Sequence, residues 1–195
     1  TFKTHICDNK EDSIKKVLQD IFSSGSSPCS IVICNGILHS NEIFPERRLE
    51  HICANSLEKI FRTNTIVPIL WLSELINYLS KPSPSVLAVL NARVGSITDN
   101  KLGGWYSYRA SKAALNMLLK TAAIEYSRRN RMVKILSLHP GTVDTKLSKP
   151  FQRNIPKEQI FSPDYAASRI LNIMEAISHD GELDYLDWQG KQIPW

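Results

Sequence analysis

Three short apolar runs, Ile31-Val32-Ile33-Cys34, Val86-Leu87-Ala88-Val89-Leu90 and Val133 to Leu138, are set apart by long stretches with the apolar spacing of helices. Runs this short cannot be buried helices, and apolar residues on both faces mark strands covered from both sides. The helical stretches end near Phe22, open at Asn55, run from Trp105 to Arg129, and begin again after Ser162-Pro163-Asp164, where proline suits a first helical turn. Asn55-Ser-Leu-Glu has the form of a capping box, and the helix it opens carries Ile60, Phe61, Ile66, Val67, Leu70, Leu75 and Leu79. Phe2 to Cys7 alternates weakly and reads as a further strand leading into a helix near Asp12 and Ser13. The Ser-rich stretch Ser23 to Ser27 is short enough to be a loop.

Strands alternating with long helices indicate an α/β fold, a doubly wound parallel sheet of Rossmann-like form with three α/β/α layers. Such sheets bind ligands at the carboxyl ends of their strands, so the loops after Cys34, Leu90 and Leu138 are expected to converge. With 195 residues and 43% hydrophobic content, one domain spanning 1–195 is the expectation.

Composition removes several other classes. No apolar run reaches the length of a membrane span, and the residues after Thr1 lack the order of a signal peptide, so a soluble, cytoplasmic chain without membrane contact is expected. The net charge of +5 comes from basic residues scattered along helices. The one tight group, Arg128, Arg129 and Arg131, sits where cations suit a helix C-terminus, so no nucleic-acid partner is expected. Cys7, Cys29, Cys34 and Cys53 show no metal-ligand spacing and read as buried free thiols. His39 and His139 stand alone and read as structural, which leaves no metal site.

Tyr108 and Lys112 lie one helical turn apart on one face. A phenol with a pKa near 10 is a poor general base at neutral pH. An ammonium about 5 Å away, at an effective dielectric near 20, would favour the phenolate by roughly 3 kcal/mol, or about two pKa units. Such a pair also occurs by chance on surface helices, so its surroundings decide its meaning.

Those surroundings are Tyr108-Arg-Ala-Ser-Lys112-Ala-Ala-Leu-Asn116, reached by a Gly-containing loop from the strand ending at Leu90. This segment resembles the Tyr-x-x-x-Lys active-site helix of the short-chain dehydrogenase/reductase family. The resemblance implies NADP or NAD as cofactor and a small-molecule carbonyl or alcohol as substrate. It gives Tyr108 the acid/base role, and Lys112 the tasks of lowering the phenol pKa and holding ribose hydroxyls. Asp8 matches the family's adenine-contacting Asp, or is a helix cap. Asn35 and Gly36 stand in the family's Asn-Asn-Ala-Gly segment, where only the glycine agrees in place. Asn64 matches the Asn of the catalytic tetrad. Pro68 has no N–H to bond the Asn64 carbonyl, which leaves that oxygen for a relay water or simply kinks the helix. His139-Pro140-Gly141-Thr142-Val143-Asp144-Thr145 resembles the segment that seats the nicotinamide, with Pro140, Gly141, Val143 and Thr145 as contacts; it also suits a plain turn.

Two departures stand out. Ala92, in Asn91-Ala92-Arg93-Val94-Gly95, occupies the place of the family's catalytic Ser, so Ser96 or Asn91 is the candidate replacement. No Gly-rich strand-to-helix turn precedes Asp8, which leaves a segment omitted ahead of Thr1 or a natural truncation; the expectation is omission, because a parallel sheet without its central first strand would leave apolar faces uncovered. Gly36-Ile-Leu-His39, Gly95 to Asn100 with Gly103-Gly104-Trp105-Tyr106, and the tail Asp187-Trp-Gln-Gly190 with Ile193-Pro194-Trp195 are most similar to the C-factor and sniffer-like carbonyl reductase branch. That branch also implies a homodimer or homotetramer, formed by pairing the helices from Asn55 and Trp105, and a second reading as a signalling or binding protein with little turnover.

Overall fold

Val86, Leu87, Ala88 and Val89 are all buried, and their side chains alternate between two separate apolar clusters, as a strand covered on both faces requires. The computed structural model describes residues 3–25, 28–79 and 83–195. The elements are α1 (Glu11–Phe22), β1 (Ser30–Ile33), α2 (Ala54–Phe61), α3 (Val67–Leu75), β2 (Ser85–Leu90), α4 (Tyr106–Arg129), β3 (Val133–His139), β4 (Thr142–Val143), β5 (Ile160–Phe161), α5 (Pro163–Ala176) and β6 (Leu183–Asp187). The main sheet has the order β1-β2-β3-β6, every pair parallel. The short β4 and β5 form a second parallel pair.

Leu87, Val89 and Ile135 face Ile14 of α1, Leu72 of α3 and Leu115 of α4. Val86, Ala88, Leu136 and Leu138 face the other way, against Ile170 and Met174 of α5. Helices therefore cover both faces of the sheet, giving the three-layer α/β/α arrangement. Ile33 pairs with Val89 and Leu90 with Leu138, so the carboxyl ends of β1, β2 and β3 reach one edge together.

Several expected elements differ. Residues 3–7 form no strand, and Ile6 is 96% exposed. They have no ladder to join among the described residues, and an unpaired strand gains nothing over solvated backbone. Phe2, Ser26 and Ser27 lie outside the described residues. α2 starts at Ala54 with Cys53 as N-cap and no side-chain cap bond, so Asn55 sits inside the first turn and no capping box forms. β1 is not covered on both sides. It is an edge of the described sheet, Val32 is partly exposed, and Cys29, Cys34 and Cys53 are free but exposed. The long helix expected from Asn55 is divided by a π turn, Arg62–Ile66, in which the Val67 N–H reaches back to the Arg62 carbonyl. The extra residue in that turn sits just ahead of Pro68, whose missing N–H leaves the ordinary ladder incomplete.

One buried polar knot crosses the core. Asn116 of α4 accepts hydrogen bonds at Oδ1 from Asn91 Nδ2 (2.6 Å) and Ser137 Oγ (2.7 Å), and Asn91 Nδ2 also reaches Ser137 Oγ (2.9 Å). It ties the ends of β2 and β3 to the middle of α4. Asn116→Ala strands two buried donors from their shared acceptor and is expected to cost about 1–3 kcal/mol. Urea denaturation checks this, with a lower midpoint at unchanged slope as the expected result.

Candidate active site

The aligned strand ends open onto a cavity of about 740 Å³, walled by the loops after β1, β2 and β3 and by the first turns of α4. Tyr108 and Lys112 both reach it and are both buried. Tyr108 Oη has no hydrogen-bond partner among the described residues. Lys112 Nζ donates to the Leu90 carbonyl at 3.0 Å and lies 6.0 Å from the Tyr108 ring centre. Three donors with one partner leave the ammonium capacity for more bonds.

The electrostatics reverse the sequence expectation. Burial pushes the Tyr108 phenol up to about 12 and pulls Lys112 down to about 8. The ammonium is turned to a backbone carbonyl, and the loss of water around the phenol outweighs the attraction. The Tyr108 phenol accordingly keeps its proton throughout the neutral range.

Gly95 explains how Lys112 is placed. A Cβ at Gly95 would lie 2.9 Å from the carbonyl carbon and Cβ of Lys112, so the 93–95 turn fits against α4 only without a side chain. Asn64 fastens the other side. It is fully buried, its Oδ1 accepts from Ile37 N–H (2.7 Å), and its Nδ2 donates to the Ile37 carbonyl (2.9 Å) and Ser111 Oγ (3.1 Å). The Asn64 side chain is thus spent on joining the β1 loop to α4. Asn35 and Gly36 of that loop line the cavity, and Lys112 Nζ stands 4.0 Å from where a Gly36 Cβ would be.

Pro140, Gly141, Val143 and Thr145 line the opposite wall. Gly141 has φ +79°, and a Cβ there would sit 2.5 Å from the Phe161 ring, so the segment is pressed onto β5 as only glycine allows. A cradle of backbone on two sides, with an under-bonded ammonium between them, fits a polar, hydroxyl-bearing nicotinamide dinucleotide.

Other candidates fall elsewhere. Ser96 is buried, accepts the Asp99 N–H at Oγ (3.0 Å) and is not on the cavity wall, because the 93–95 turn carries the chain past Tyr108. Asn91 reaches the wall, but its side chain is held by the polar knot and by the Ala92 N–H. Ala92 itself packs against Tyr108. Asp8 is exposed before α1, accepts the Lys10 N–H at 3.0 Å, and stands outside the cavity wall. His139, read from sequence as structural, lines the cavity beside Trp188, and burial lowers its pKa to about 4, which keeps it neutral. Cys34, Trp105 and Phe151 were not foreseen on the wall. The strand-end rule places Cys34 and His139 there, whereas no local signal joins Phe151 to Trp105.

The lowered Lys112 value has a stability consequence. Below pH 8 the folded chain carries a buried charge. Between pH 8 and the ordinary lysine value of 10.5 the unfolded chain holds a proton that the folded chain releases, so stability rises with pH across that window. Relative to Lys112→Met, the wild-type chain is expected to gain up to about 3 kcal/mol from pH 7 to 10.5, measured by denaturation at stepped pH.

The profile of the family described as short chain dehydrogenase matches residues 3–156. C-signal from Myxococcus xanthus is 30% identical over 139 residues, covering 71% of this chain and 78% of that protein. Carbonyl reductase Sniffer of D. melanogaster shares the fold with a TM-score of 0.80 at 22% identity, covering 98% of this chain and 77% of that one. NADPH bound carbonyl reductase from chicken fatty liver gives a TM-score of 0.80 at 25% identity, covering 96% of this chain and 74% of that one. The profile match over most of the chain, on a parallel sheet whose strand ends gather Tyr108 and Lys112, means that the chain belongs to the short chain dehydrogenase family.

Proposed function

We propose that this protein is an NAD(P)-dependent oxidoreductase, acting as a single Rossmann-like domain on a carbonyl or the corresponding alcohol, with Tyr108 as acid/base. The observation that carries the reading is the unpartnered Tyr108 phenol, one helical turn from a buried ammonium, on the wall of the cavity at the strand ends. Family membership and the chicken carbonyl reductase, described as NADPH bound, support the choice of cofactor. Lys112 would hold ribose hydroxyls with its spare donors, Asn35 and Gly36 would pass beneath the dinucleotide, and Pro140, Gly141, Val143 and Thr145 would seat the nicotinamide.

When bound, the reduced nicotinamide supplies the hydride. Tyr108, protonated up to about pH 12, donates its proton to the carbonyl oxygen. The phenolate left behind is favoured by the Lys112 ammonium, whose attraction acts fully only once opposite charges face each other in the dry pocket. The backbone carbonyl of Asn64, within the π turn, would hold a water that returns a proton through Lys112. Alcohol oxidation needs the phenol deprotonated first, so its rate is expected to climb with pH while carbonyl reduction stays nearly level through neutrality.

Titration of the protein with NADPH and NADH, followed by assay on a carbonyl panel, tests this reading. Tyr108→Phe is expected to lower turnover about 10²–10⁴-fold while leaving cofactor affinity close to that of the unaltered chain. Turnover that survives this change removes Tyr108 from the mechanism. A second reading, a signalling or binding protein on the same scaffold, draws on Ala92 in place of a hydroxyl donor and on the likeness to C-signal. Absence of nicotinamide binding in calorimetry would favour it.

We also propose a homodimer, or a tetramer built from it, through the outer face of α4, where Met117 is 69% and Ile124 43% exposed two turns apart. Placing lysine at both positions is expected to shift the sedimenting species towards monomer.

A further inference from the structure

Ala92, packed against Tyr108, brings a methyl group to the reacting corner and leaves the Tyr108 hydroxyl without a second hydroxyl beside it. Ser96 is off the cavity wall, Asn91 is held in its knot with Asn116 and Ser137, and the proposed reading gives the spare donors of Lys112 to ribose hydroxyls. The neighbouring strand supplies another group. Leu90 pairs with Leu138, and the Asn91 N–H donates to the Leu138 carbonyl at 2.7 Å, so His139 ends β3 beside the Asn91-Ala92 step. Along β3, Leu136 and Leu138 turn to α5, whereas Ile135 packs towards α4 and Ser137 bonds Asn116 of α4. The same alternation turns His139 to the α4 side, and with Tyr108 and Lys112 it lines the same cavity.

His139 has its hydrogen-bonding capacity to spare. Neither ring nitrogen has a partner among the described residues, and neither is sealed in protein as Nε2 of His5 and of His179 are. The ring is held edge-on to Trp188 at 5.7 Å. Burial, then the positive charge of Arg93, holds its pKa at about 4 against the pull of Asp187, so the imidazole is neutral and carries one N–H through the neutral range. The charged groups around it are engaged elsewhere: Asp187 Oδ1 accepts the N–H groups of Gln189 and Lys191, and Arg93 is paired with Asp99 at 2.8 Å.

We infer, resting on the oxidoreductase reading, that His139 is a catalytic hydrogen-bond donor whose ring N–H meets the oxygen of the substrate carbonyl beside the Tyr108 hydroxyl, in the place that Ala92 leaves open. The hydride passes from the reduced nicotinamide dinucleotide to the carbonyl carbon, and the proton passes from Tyr108 to the oxygen. His139 keeps its own proton throughout and stabilises the negative charge that builds on that oxygen. The product is the alcohol, and the dinucleotide is left oxidised.

A hydroxyl introduced at residue 92 would relieve His139 of this task, so the two positions are tested together in the full chain. His139→Phe is expected to lower kcat for carbonyl reduction about 10²–10³-fold while leaving NADPH affinity close to that of the unaltered chain. His139→Gln, which retains an N–H donor, should lose less. In an Ala92→Ser background, His139→Phe is expected to cost less than about tenfold, whereas a packing defect would cost the same in both backgrounds. Equal losses in the two backgrounds overturn the inference. A readout without turnover is the ring ¹⁵N signal of His139 in the unaltered chain with NADPH present, followed by NMR as benzamide, a carbonyl that is not reduced, is added. The signal is expected to move, and an unmoved signal overturns the contact. If it moves and no carbonyl is turned over, the oxidoreductase reading fails and the contact stands. If Tyr108→Phe abolishes turnover and His139→Phe leaves it intact, the reading stands and the inference fails.

Discussion

The fit of Gly95 against the backbone of Lys112 sets the geometry of everything that follows it in the cavity. A turn with no side chain lets the loop after β2 lie directly on α4. The knot of Asn91, Asn116 and Ser137 then fixes the helix along its axis, and Asn64 with Ser111 fixes its rotation. The α4 helix is long, but only its first turns enter the cavity. Those turns are held from three directions by side chains whose polar atoms face one another instead of the cavity. Buried polar contacts of this kind contribute little net stability but are costly to misplace, so they select one arrangement of the helix.

That rigidity is what allows a lysine to be buried. Lys112 is held at the Leu90 carbonyl in a site that favours its neutral form, and Tyr108 sits nearby in a site that favours the neutral phenol. Both groups are poised against ionisation while no charge partner is present. On the proposed reading, proton loss from Tyr108 creates a negative charge next to a positive one where water cannot screen them, so the pair gains its attraction during the reaction and not before it. Chemical function and fold stability pull in opposite directions at this one lysine.

The sheet was legible because β2 and β3 are buried on both faces and carry the apolar runs that such strands need. β6 was not, since Leu183-Asp-Tyr-Leu-Asp places acids in a short strand. Asp184 is there for Lys134, which is wholly buried in β3 and reaches Asp180 at 2.6 Å and Asp184 at 2.8 Å, a pairing no local pattern reveals. The placement of Tyr108, Lys112 and the Pro140 loop on one cavity wall was legible through the resemblance of their segments to a family pattern together with the strand-end rule. The protonation state of the phenol was not, because it depends on desolvation and on where the lysine turns, and neither is written in the interval between them. Ser96 stands close to Ala92 in sequence, but a 3₁₀ turn is enough to carry it behind the wall.

The cavity divides at Tyr108. On one side stand Asn35, Gly36, Lys112 and the backbone of Pro140 to Val143, rich in donors and acceptors; on the other stand Trp105, Phe151, Leu147 and Leu38, whose side chains are apolar apart from the indole N–H of Trp105. Tyr185 reinforces the border, since its buried hydroxyl donates to the Ala92 carbonyl at 2.6 Å and holds the backbone there while leaving the methyl group towards the phenol. A polar dinucleotide and an apolar substrate sorted to opposite sides would meet at the one hydroxyl that belongs to both. On the proposed reading, desolvation would disfavour each ligand on the other's side, so polarity alone would order the two.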